Sequence, residues 1–154
     1  MLAASGCGAF LDPIFEIGVD EEQPDWALTA ADMASDVWSD HSVLFLGGQG
    51  SDSKLRVEVV PLPPDRIAEC YCNVDFTSGI IHVIPRLETS EYYNDQVRSC
   101  VIAHEMGHAL GMNHSDDINS LMSPVIINDM DGPCSWSDLD QAELCRVQPY
   151  TCDR

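Results

Sequence analysis

Three of the five histidines in this chain fall within residues 104–114: His104-Glu105-Met106-Gly107-His108-Ala109-Leu110-Gly111-Met112-Asn113-His114. On a helix, residues four apart share a face. His104 and His108 can therefore aim two imidazole nitrogens at one ion, each about 2.0 Å away. Two ligands do not complete a site. Gly111 can take φ > 0, end the helix and turn the chain sharply, which brings His114 back as a third ligand. A fourth position stays open to water, the arrangement of a catalytic rather than a structural zinc. Glu105 follows the first ligand and can lie beside that water without binding the metal. The chemistry such a set can do is hydrolysis. Zinc lowers the pKa of a bound water toward about 7 and polarises a carbonyl. Glu105 takes the water's proton and passes it to the leaving group.

His-Glu-x-x-His alone arises by chance on ordinary helices. With Gly111 and His114 at fixed offsets, chance falls to about one in a hundred thousand at average residue frequencies. Histidines scattered on a helix for no purpose therefore explain the segment poorly. No Ser, Cys or Thr nucleophile is needed.

The elements that must position these residues can be read from periodicity and punctuation. Residues 13–19 read as a first strand. A helix starts at Thr29, with Asp32 as a capping-box variant and Ala30, Met33, Ala34, Val37 and Trp38 as its apolar stripe. Residues 43–46 read as a strand and 47–52 as a glycine-rich turn. That turn has no following Lys-Ser/Thr, so it is not a phosphate loop. Leu55, Val57 and Val59 alternate with polar residues as in a strand, which Pro61-Leu62-Pro63-Pro64 ends. Residues 70–75 and 80–84 read as two more strands. A long helix runs from about 91 or 95 to 110, and Ser137 caps a final helix to about 147. The order of elements makes this an α+β domain.

The His-Glu-x-x-His-x-x-Gly-x-x-His pattern resembles the metzincin metallopeptidases. Ser120-Leu121-Met122-Ser123-Pro124 resembles their methionine turn. Ser115 directly after His114, and Met122 eight residues on, resemble the matrixin branch. Trp38-Ser39 and Ser137-Asp138-Leu139-Asp140 are weaker matches to the same branch. The resemblance spans most of residues 13–150, with residues 104–124 the most specific part. It implies a twisted, mostly parallel sheet with two packed helices and an active-site cleft. It also implies a small C-terminal subdomain with one helix, dividing the domain into an upper part at about 13–111 and a lower part at about 112–154. It further implies a zinc metalloendopeptidase holding one catalytic Zn2+. Met122 would form an apolar floor beneath the ligands. Gly79, Ile80, Ile81, His82, Val83 and Ile84 would form the sheet's edge and pair with an extended substrate. Pro124, Val125 and Ile126 would line the pocket for the side chain after the cut, where Ile126 departs from the tyrosine many matrixins carry. The His- and Asp-rich insertion that holds structural zinc and calcium in matrixins is absent. His82 resembles one ligand of that structural zinc but has no partner histidines, and it reads as a lone strand histidine. His41 has no assigned role.

Composition narrows the rest. The chain has 154 residues and 45% hydrophobic content, enough for one domain with a core. Its 26 acidic residues against 7 basic ones, net −19, exclude a phosphate-backbone binder and hence a nucleic-acid partner. No apolar run is long enough to span a bilayer. The expected partner is a protein or peptide substrate, and the expected state a monomer. The 7 cysteines point to an oxidising, extracellular or cell-envelope location. Six of them, at 70, 72, 100, 134, 145 and 152, can form three disulfides in 15 connectivities. A second zinc on Cys70 and Cys72 competes, although Cys-x-Cys lacks the usual ligand spacing. Residues 1–12 read as a tail, either a remnant of an export signal or a run of small residues. Ala4-Ser5-Gly6-Cys7 allows a lipid anchor on Cys7. An inert thiol ranks beside that reading, and a zinc-blocking thiolate ranks below both. Two other functions stand as alternatives: a latent or non-catalytic zinc-binding module, and a zinc hydrolase of a non-peptide amide.

Overall fold

The computed structural model describes residues 14–41, 43–50, 53–73, 78–89, 92–125 and 134–152. The elements are β1 (Ile14–Val19), α1 (Asp25–Ser39), β2 (Leu44–Gln49), β3 (Leu55–Val59), β4 (Ala68–Cys72), β5 (Gly79–Val83), α2 (Arg86–Thr89), α3 (Asp95–Ala109) and α4 (Asp138–Val147), closed by a short 3-10 turn. Five strands form one sheet in the order β2-β1-β3-β5-β4. All neighbours are parallel except β4, which runs antiparallel to β5. The α+β class and the mostly parallel sheet are as the sequence implies.

Strand periodicity sorts the side chains. Phe15, Ile17, Val19, Phe45, Leu55, Val57, Ile81 and Val83 are buried and pack against α1 and α3. The buried stripe of α1 is mostly alanine, Ala27, Ala30, Ala31 and Ala34, so α3 can pack closely on it. Trp38 ends that stripe fully buried, and its Nε1 donates to the Ala103 carbonyl of α3 at 3.1 Å.

Three elements differ clearly in their bounds from the sequence reading, among them β4, which spans Ala68–Cys72 instead of 70–75. Helix α1 begins at Asp25, four residues ahead of Thr29, after Pro24 at φ −60 and ψ 143. Proline presets φ for entry into the helix, and Asp25 complements the helix dipole. Strand β2 runs on through Gly47-Gly48 instead of turning there, because both pair with β1 at Ile17 and Gly18. Pairing overrides the poor strand propensity of glycine.

The disulfides are Cys70–Cys72, Cys100–Cys134 and Cys145–Cys152. Bridging leaves Cys70 and Cys72 no thiolate for a second zinc. Cys100–Cys134 ties α3 to the approach of α4 across a separation of 34 residues, worth about 4 kcal/mol of unfolded-state entropy in the chain model. No helix among the described residues is long and apolar enough to cross a membrane. Cys7 and Ile126 lie outside the described residues.

Candidate metal centre

The centre is built at the C-terminal end of α3. Asn94 caps the start of this helix, its side chain accepting from the Val97 amide at 2.9 Å. At the other end Gly111 sits at φ 90. Its amide donates to the His108 carbonyl at 3.0 Å, and the Met112 amide donates to the Gly107 carbonyl at 2.9 Å. This double closure around a left-handed glycine is a Schellman ending. It turns the chain so that His114 faces back toward the helix.

His104, His108 and His114 converge, with one candidate ligand atom from each within 4.8 Å of the others. The Nε2 atoms of His108 and His114 are 3.0 Å apart. Tetrahedral ligation at 2.0–2.1 Å places two nitrogens about 3.3 Å apart. His104 Nδ1 donates to the Leu121 carbonyl at 2.8 Å, and His108 Nδ1 to the Met112 carbonyl at 2.9 Å. A carbonyl only accepts, so both Nδ1 atoms carry the proton and both Nε2 lone pairs face the shared point. Burial, ahead of the opposing pull of the Leu121 carbonyl, lowers His104 to about 4. Burial also lowers His108. Both rings are therefore neutral and able to ligate at neutral pH. The donor set fits zinc. Among the described residues it is the one group of three or more His, Cys, Asp or Glu side chains placed to hold an ion.

Glu105 is 6% exposed and lies between α3 and β4. Burial raises it to about 7, against the hydrogen bond its carboxylate accepts from the Cys70 backbone N–H. An open cleft of about 490 Å³ is lined by Ile67, Ala68, Cys70, Val101, Glu105, Pro124 and the three histidines, among others.

Met122 is buried beneath the centre. A Cβ on Gly107 would lie 2.4 Å from its sulfur, so a side chain at residue 107, between the two helix ligands, would push the methionine sulfur off the helix. The turn carrying Met122 is held from α4. Ser137 caps that helix in a reciprocal box with Asp140. The buried Asp140 carboxylate also accepts from Ser120 Oγ, from the Leu121 amide at 2.9 Å and from the Met122 amide at 3.2 Å. The Leu121 carbonyl in turn receives His104. Asp140 thus orients a ligand through one peptide group.

The structure places the proposed substrate strand differently. Residues 79–83 are β5, an interior strand between β3 and β4. Ile81, Val83 and Ile84 are in the core, and none of residues 79–84 lines the cleft. The expectation that this segment forms the sheet's edge is corrected: the edge beside the cleft is β4. Periodicity does not reveal which strand ends a sheet. Yet the near-continuous apolar run Ile80-Ile81-His82-Val83-Ile84 has the pattern of an interior strand, and the prolines before residue 68 have that of an edge. Pro124 lines the cleft, whereas Val125 is 60% exposed. His82 faces Glu58 at 3.6 Å and the Tyr71 ring at 5.0 Å. His41 stacks on Trp136 at 3.6 Å. Sequence reasoning missed the roles of Asp140, Gly107 and β4. The Ser-x-x-Asp box at 137–140 was the available signal for Asp140.

The fold and the histidine cluster define a metzincin-type domain. The matrixin family model matches residues 19–146, and the chain belongs to that family. It is 43% identical over 51 residues to a Matrix metalloproteinase-A of Caenorhabditis elegans, a stretch covering 30% of this chain and 10% of that protein. It is 45% identical over 49 residues to an interstitial collagenase of Aquarana catesbeiana, covering 32% and 12%. The match spans about a tenth of the length of each curated relative.

Proposed function

We propose that this domain is a zinc-dependent metalloendopeptidase acting on protein or peptide substrates outside the cytosol. The observation that carries the reading is the convergence of three imidazoles, two with their Nδ1 atoms tied to carbonyls, beside a buried glutamate in an open cleft. His104, His108 and His114 would hold the ion. Zinc there would supply a Lewis acid and an acidified water.

The remaining work falls to the protein. Glu105, poised near neutrality, accepts the water's proton and delivers it to the leaving amine. Among the described residues strand β4 is paired on one side only, so its cleft-facing backbone, the Glu105-bound Cys70 N–H excepted, can take up an extended substrate as an added strand. Ile67, Ala68, Val101 and Pro124 offer apolar contact to side chains next to the cut. The three disulfides suit an extracellular or envelope location. Glu105 serves proton transfer rather than metal affinity, which favours an enzyme over a non-catalytic zinc module. The test is metal analysis of the purified protein alongside cleavage of an unfolded protein such as casein. About one zinc per chain is expected, with activity abolished by a chelator and restored by zinc. A zinc-loaded protein that leaves casein and a peptide library intact would overturn the reading.

A further inference from the structure

The Cys70–Cys72 bridge has a peculiar place in the fold. Its sequence separation is 2, against 34 and 7 for the other two. Such a short ring removes the least entropy from the unfolded chain, so global stability does not explain it. Its position in β4 suggests what does. The Ile84 amide donates to the Ile67 carbonyl at 3.0 Å, and the Asn73 amide to the Ser78 carbonyl at 2.9 Å. The pairs 67–84 and 73–78 lie in one register with Glu69–His82 and Tyr71–Ile80. In an antiparallel ladder, alternate residues turn their N–H and C=O toward the partner. Residues 67, 69, 71 and 73 therefore bond β5. Ala68, Cys70 and Cys72 turn their backbone groups the other way, toward the cleft. Their side chains oppose Val83, Ile81 and Gly79 and pack on the core beside α3. The bridge thus joins two of the residues whose main-chain groups face the cleft: the Cys70 N–H is held by the Glu105 carboxylate, while the Cys70 carbonyl and the backbone of Cys72 face the position of an added strand.

We infer that the Cys70–Cys72 disulfide is a positioning element for substrate: it presets the cleft-facing backbone of β4 as a template for an extended peptide. The inference rests on the peptidase reading above. Its physical basis is preorganisation. A lone edge strand must otherwise lose backbone freedom on pairing, and a covalent ring across residues 70–72 removes that freedom beforehand. The benefit accrues to substrates long enough to pair with the whole edge, and it appears in KM rather than in zinc retention.

The test compares the parent with Cys70→Ala/Cys72→Ala and, should that pair fold poorly, with Cys70→Ser/Cys72→Ser. Each is loaded with zinc and assayed on an extended peptide and on a short one that cannot reach residue 72. Backbone amide exchange of residues 67–73 is followed in parallel. The expected result is a KM for the long peptide raised roughly tenfold, with kcat and the short-peptide KM changed little and zinc content unchanged. Exchange at Glu69 and Tyr71 should quicken. The fall in Tm should be smaller than that of Cys100→Ala/Cys134→Ala. Equal loss on long and short peptides, or no loss on either, would overturn the inference. If the parent cleaves nothing when zinc-loaded, the peptidase reading fails. The exchange measurement then still decides whether the bridge orders β4, since unchanged exchange at residues 69 and 71 refutes it.

Discussion

The two walls of the cleft are held in different ways. On the histidine side, His104 and His108 each commit Nδ1 to a carbonyl, Met122 fills the space left by Gly107, and Asp140 gathers the 120–122 turn. Nearly all of this is buried. On the β4 side one antiparallel ladder, a local disulfide and packing on α3 hold a strand whose residues are half-buried or exposed. The difference separates two tasks. Metal ligands must not move, since small displacements cost affinity. A peptide-pairing edge has to stay open to an incoming strand. Damage to the first wall should therefore cost metal, and damage to the second should cost turnover or substrate affinity alone.

The largest expected effect lies where the walls meet. Glu105→Ala should lower proteolysis by about 10²- to 10⁴-fold while zinc content, measured by atomic spectroscopy, stays at the parental level. Wild-type turnover by the pure variant would end the assignment of Glu105 as base. Loss of zinc would instead blur the separation of the two walls.

Next comes the buried carboxylate. Asp140→Ala strands the Leu121 amide and the Ser120 hydroxyl proton and leaves the Met122 amide only Ser120 Oγ. It should destabilise the domain by roughly 3 kcal/mol or more and weaken zinc affinity by about 10- to 100-fold, read by competition with a chromophoric chelator. If stability falls and zinc affinity does not, Asp140 supports the fold and not the ligand.

A subtler test uses the metal-free protein. His104 is lowered from 6.5 to about 4. The unfolded chain then binds the extra proton between those values, and stability from this group rises with pH across that window. Glu105 is raised from 4.5 to about 7. There the folded form holds the extra proton, and stability falls as pH rises. The two slopes oppose over pH 4.5–6.5, so the apo parent should show only the shallow rise that the lowered His108 supplies. Glu105→Gln removes one of them. Its apo form should gain stability from about pH 4 to 6.5, by up to a few kcal/mol, with His108 adding in the same sense. Urea denaturation across that range measures it. A flat profile in the variant would mean that His104 is not desolvated as the fold implies.

The smallest effect tests the corrected strand order. His82→Ala on β5 should leave KM within about twofold, because that strand is interior and away from the cleft. A large rise in KM would return β5 to the substrate site.

Much of the centre is local and was therefore legible in the order of residues. Four-residue spacing puts His104 and His108 on one helix face whatever surrounds them, and a glycine at 111 licenses the φ of 90 that returns His114. Ser137 and Asp140 form their capping box within one turn. These depend on backbone geometry over a few residues, and so does the alternation that marks β3. What the tertiary structure alone decided concerns partners distant in the chain. β5 is inserted between β3 and β4, which leaves β4 rather than 79–84 beside the cleft. Pairing with β1 carries β2 through two glycines. Six cysteines settle into one of 15 pairings. The second carboxylate oxygen of a helix cap is no different in sequence from any other, yet here Asp140 Oδ1 reaches the Met122 amide across 18 residues. Local dihedral preferences act between near neighbours. Strand order, disulfide pairing and buried hydrogen bonds are chosen by which distant surfaces exclude water together, and no short window of residues contains that information.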